Sequence, residues 1–98
     1  MIMRKSFIID GENFNTIDGF YNEIENVFTS TLDWEIGRNL NSFNDILRGG
    51  FGKHHYGEPI LIKWLNYQKS ERDLGANTLK AIVETILDIN NSGHLEKL

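Results

Sequence analysis

Residues 34–52 read Trp34-Glu35-Ile36-Gly37-Arg38-Asn39-Leu40-Asn41-Ser42-Phe43-Asn44-Asp45-Ile46-Leu47-Arg48-Gly49-Gly50-Phe51-Gly52. Leu40, Phe43 and Leu47 recur at i, i+3 and i+7 with Ile46 beside them, a spacing that predicts a short helix with one apolar face. Asn41, Asn44, Asp45 and Arg48 fall on the other side. Asn39 or Asn41 can cap the start, because a short amide side chain reaches first-turn N–H groups that have no partner within the helix. Gly49 and Gly50 supply the stop, since glycine enters positive-φ backbone conformations without steric cost. One face of this helix packs and the other is free to bind.

Toward the N-terminus, Ser6-Phe7-Ile8-Ile9 is a short run of strand formers closed by Asp10-Gly11, and it reads as a buried strand. Ile17, Phe20, Tyr21, Ile24, Val27 and Phe28 then follow helical spacing, with Asn15 or Thr16 as the N-cap and the acids of this helix facing water. An irregular connection over 29–36 leads into the opening stretch. Toward the C-terminus, the glycine-rich loop over 51–58 ends at Pro59, and Ile60-Leu61-Ile62-Lys63-Trp64-Leu65 is a second strand. Residues 66–73 are polar and fit one or two helical turns capped by Asn66. Leu79, Ile82, Val83, Ile86, Leu87 and Ile89 give the last helix a broad apolar face, stopped by Asn90-Asn91-Ser92-Gly93. Two strands joined by a long helical crossover pair in parallel, with helices covering the sheet, which is a small α/β sandwich.

At 98 residues the chain has room for one core and not two, so residues 1–98 form a single domain. No cysteine is present, which excludes disulfides and thiolate chemistry and is compatible with the cytoplasm. Residues 1–9 lack the long apolar segment of a secretion signal, and no apolar run approaches the roughly 20 residues of a membrane helix. The net charge of −4 is unevenly spread. Between Lys5 and Arg38 there is no base, whereas Asp10, Glu12, Asp18, Glu23, Glu25, Asp33 and Glu35 all fall there. Such a region attracts cationic partners and repels phosphate backbones, so direct nucleic-acid binding is not expected.

Catalytic signals are sparse. The adjacent His54 and His55 point in different directions and have no companions at metal-ligand spacing, so neither a metal nor a cofactor is expected. Asp10 and Glu12 sit where a strand turns, and turn chemistry accounts for them. Residues 49–52 follow a helix where a phosphate loop would open one. No nucleophile motif surrounds any Ser, Thr or Tyr. An enzyme is not expected.

The pattern Gly-x-Asn-Leu-x-x-Phe-x-Asp-x-Leu over residues 37–47 resembles the second-helix segment of the barstar-like family, intracellular inhibitors of ribonucleases, and Arg-Gly-Gly-Phe-Gly over 48–52 resembles one branch of it. A looser likeness runs from the first strand to Leu74-Gly75-Ala76. The resemblance implies a short parallel sheet of two to three strands covered by about three to four helices, with residues 94–98 in the place of the third strand. His94-Leu95-Glu96-Lys97-Leu98 lacks β-branched residues, so that strand is expected to be short, irregular or absent.

The resemblance also implies how the protein acts. The family's anchoring helix aspartate corresponds to Asp45, while Asn41 stands where the family has a second aspartate, Asn44 where it has a tryptophan, and Glu35 where it has a tyrosine. The expected docking surface is Asp45, Asn41, Asn44, Glu35, Trp34, Arg38 and Asp33. Its acids would occupy a ribonuclease active site by imitating phosphate charges. The expected partner is a basic protein, with a non-inhibitory interaction module as the alternative.

Overall fold

The computed structural model describes residues 5–29, 37–49, 58–88 and 93–98. Strand β1, Lys5–Asp10, is followed by a single 3-10 turn, Gly11–Asn13, and helix α1, Ile17–Phe28. Helix α2, Leu40–Arg48, then precedes strand β2, Ile60–Leu65. Helices α3, Tyr67–Leu74, and α4, Ala76–Leu87, lead to strand β3, Gly93–Lys97. The three strands form one parallel sheet in the order β1-β2-β3.

That order follows from two crossovers running in the same direction. With both connections right-handed, their helices fall on the same side of the sheet. Burial along the strands agrees: Phe7 and Ile9 of β1 and Ile60, Ile62 and Trp64 of β2 point into the core. Ile8 on the other face is 52% exposed. Period-two alternation thus separates a helix-covered face from an open one. Trp64 is the centre of the covered face. Its ring stacks on Phe20 at 5.6 Å between centroids, and its indole N–H donates to the Ser70 hydroxyl at 3.0 Å, so the one polar atom of a fully buried ring has a partner.

The expected parallel pairing is present residue for residue, with Phe7 opposite Ile62 and Ile9 opposite Trp64. The third strand takes the first of the forms expected for it. β3 is short but regular, paired with β2 over its whole length from Gly93 opposite Ile60 to Lys97 opposite Trp64. An edge strand needs only one row of backbone hydrogen bonds, and here the partner is a fully formed central strand while Leu95 packs against the core, so β-propensity is overridden. Asn66 is also used differently from expectation. It precedes α3 in the left-handed conformation (φ 56°) and makes no side-chain cap. Its amide instead donates to Asp10 Oδ1 at 2.9 Å, tying the end of β2 to the end of β1.

The acids of α1 do not all face water. Glu23 is 5% exposed, and its carboxylate accepts from the Asp10 backbone N–H at 2.9 Å and from the Asn13 amide at 3.1 and 3.2 Å. It joins α1 to the carboxyl end of β1. Glu23 lies one turn from both Phe20 and Val27, inside the apolar stripe, and a charge is held there because hydrogen bonds replace its water.

Candidate functional site

Helix α2 is held at both ends. Asn39, the first of the two candidate caps, accepts from the Ser42 backbone N–H at 2.8 Å. Gly49 closes the helix with φ 99° and ψ −174°, a conformation essentially restricted to glycine, and its N–H donates to the Ile46 carbonyl at 3.1 Å. Between these ends Phe43, Ile46 and Leu47 are buried, with Phe43 edge-on to Phe20 at 5.4 Å. Nine residues would be marginal as an isolated helix, so capping and this apolar face together fix its position.

The polar side emerges as the sequence indicates. Asn41 and Asp45 are exposed, and Asp45 makes no hydrogen bond or ion pair among the described residues. Asn44 is half-buried and accepts from Arg48 Nε at 3.2 Å. The helix carries one acid and one base, Asp45 and Arg48. Asp33, Trp34 and Glu35, expected beside it, lie outside the described residues, as do His54 and His55.

Arg38 is turned inward, toward α1. Its guanidinium ion-pairs with Glu25 at 2.8 Å, donates to Asn22 Oδ1 at 2.9 Å and reaches the Asp18 carbonyl at 3.4 Å. Three acceptors from three turns of α1 thus converge on the residue just before α2. One exposed pair stabilises a fold by about 0.2–1 kcal/mol, but a planar fork with several acceptors also sets geometry. The sequence offered no sign of this tether, because 13 positions separate Glu25 from Arg38 and only the packing of α1 against α2 joins them.

The acids of the first third therefore divide by environment. Glu23 and Glu25 are engaged internally. Asp10 caps the 3-10 turn, and the Glu12 backbone N–H, the Asn66 amide and the Lys69 charge lower its pKa from 3.8. Glu12 and Asp18 remain exposed, as does Asp45 of α2. No group of three metal-ligating side chains gathers among the described residues, and none of the described helices is long and apolar enough to cross a membrane.

Among the surface hollows lined by described residues, two lie beside these elements. One of 650 Å³ lies at the carboxyl ends of the strands, lined by the bases Lys69, Arg72 and Lys97 and the acids Glu12 and Glu71. The other, of 380 Å³, lies between the first turns of α1, α2 and α4. Tyr21 lines the second; burial raises its pKa above 10.0, with Arg38 opposing, so the phenol is protonated at neutral pH.

These features define a parallel α/β sandwich that displays a rigidly held helix with one polar side. The family described as Barstar (barnase inhibitor) matches residues 4–97, and the chain belongs to that family. No curated protein matches it.

Proposed function

We propose that this protein inhibits a ribonuclease by docking the polar side of α2, with the segment before it, over the enzyme's active site. The observation that carries the proposal is Asp45. It stands at the family's anchoring position, on a helix fixed at both ends, with an exposed carboxylate that nothing in the described residues neutralises. A nuclease cleft is cationic because it holds phosphates, and a pre-positioned carboxylate satisfies those cations with little loss of side-chain freedom. Asp33 and Glu35 would add charge from the preceding segment, Trp34 an aromatic surface, and Asn41 and Asn44 hydrogen bonds. Arg38 holds the approach to α2 against α1. The partner is a basic protein met in the cytoplasm.

A non-inhibitory module for another basic protein is favoured by one observation: Asn41 and Asn44 leave Asp45 as the sole acid of α2. A pull-down from native lysate followed by RNA cleavage separates the two, since an inhibitor abolishes cleavage by its captured partner and a module leaves it unaltered. Asp45→Ala should weaken that partner by at least about 2 kcal/mol, roughly 30-fold, because truncation leaves the partner's cations buried and unpaired. Association should slow as salt rises past the point where the screening length falls below about 10 Å. Unchanged affinity of Asp45→Ala, measured by calorimetric titration, would remove this helix from the interface.

A further inference from the structure

Asp45 and Arg48 stand three residues apart on α2, a spacing that makes side chains neighbours on one side of a helix, with about 5–6 Å between Cβ atoms. An ion pair between them is within reach, yet none forms. The guanidinium is turned to Asn44 instead, whose Oδ1 accepts from Arg48 Nε at 3.2 Å. Asn44 and Arg48 are both half-buried, whereas Asp45 is exposed. That one bond has two effects. It holds Arg48 off Asp45, so the carboxylate is not neutralised from within its own helix, and it leaves the terminal guanidinium nitrogens without a hydrogen bond or ion pair among the described residues. A base in the last turn also suits the helix dipole, but the dipole acts on any positive charge and does not fix where it points, as the Asn44 bond does. The polar side of α2 therefore carries a negative charge and, one turn on, a positive charge held in place.

We propose that Arg48 is a specificity-determining residue of the docking surface: it turns away ribonucleases whose cleft is cationic throughout and admits one that presents a carboxylate beside the cations that take Asp45. The inference rests on the docking of α2 and adds the chemistry of the partner it selects. A cleft built to hold successive phosphates carries several cations. Asp45 meets one group of them, and Arg48, a turn further along the same helix, meets the next. A like charge there is costly, because docking removes the water that would screen it. An untied arginine could swing clear on its flexible stem, whereas one bonded at Nε and half-buried must first break that bond. Discrimination of this kind makes wrong partners repulsive and leaves the attraction of Asp45 intact.

The test uses barnase, the nuclease named in the family's description, as the probe. Its binding to the parent, Asp45→Ala, Arg48→Gln and Arg48→Glu is measured by stopped-flow association and calorimetric titration at low and high salt. Arg48→Gln removes the charge and should bind barnase about five-fold tighter than the parent, and Arg48→Glu about twenty-fold tighter, chiefly through faster association. Both gains should shrink as salt rises, which a merely structural role for Arg48 would not produce. In an Asn44→Ala background, where the guanidinium is untied, the gain from Arg48→Gln should fall to about two-fold or less. Asp45→Ala tests the docking itself. A loss there with no gain from either Arg48 variant overturns the role of Arg48 alone, and no binding of barnase by any form overturns the docking of α2 as well. Weaker binding by the Arg48 variants, a gain unchanged by salt, or an equal gain with and without Asn44 would also overturn the proposal.

Discussion

Replacing Glu23 with alanine tests whether a buried carboxylate joins α1 to β1. The side chain accepts hydrogen bonds from the Asp10 N–H and the Asn13 amide. Truncation strands that backbone donor at the end of the strand and removes charge-assisted bonds of about 1.5–3 kcal/mol each in their usual range. Water entering beside the half-buried Asp10 recovers part of this, so the net loss should be about 3 kcal/mol. In a chain of this length that lowers the melting temperature by about 12–24 °C. Glu23→Gln keeps an oxygen for the Asp10 N–H, and Asn13 can turn its own oxygen toward the new amide, so the loss should be only about 1 kcal/mol. Urea unfolding of the three proteins at neutral pH, with matching denaturant slopes, measures both differences. A loss below about 1 kcal/mol for Glu23→Ala would show that the carboxylate has no such role, and the link between α1 and β1 would have to be assigned to packing alone.

Two further outcomes follow from the geometry. Asp10 has a folded pKa below its unfolded value near 3.8, so its contribution to stability is complete above 3.8 and is lost as pH falls through the lower folded value. Melting temperatures of the parent and Asp10→Asn should therefore differ at neutral pH and converge in acid, and a gap that widens on acidification would contradict the assignment. Gly49→Ala forces a Cβ onto a backbone at φ 99° and ψ −174° and should cost about 1–3 kcal/mol in urea unfolding, a loss under about 0.5 kcal/mol showing that the end of α2 yields freely.

Much of the fold was legible in local patterns, because alternation of two and periodicity of 3.6 are written into consecutive residues. β2 occupies the run marked by Ile60 to Leu65, α1 begins and ends at Ile17 and Phe28, and Asn39 and Gly49 bound α2 as their chemistry indicates. The exposure of Asp45 belongs to the same class, since the apolar face of a short helix dictates which side remains outside.

What only the tertiary structure decided depends on residues far apart in the chain. β3 has little intrinsic preference for a strand and exists because β2 offers it a complete row of backbone partners. Glu23 reads as a surface acid until β1 and the turn after it bring two donors to its carboxylate. The tether of Arg38 exists only because α1 presents Glu25, Asn22 and the Asp18 carbonyl to it. In each case the deciding partner comes from another element, and sequence spacing carries no record of which backbone rows and polar groups the fold brings together.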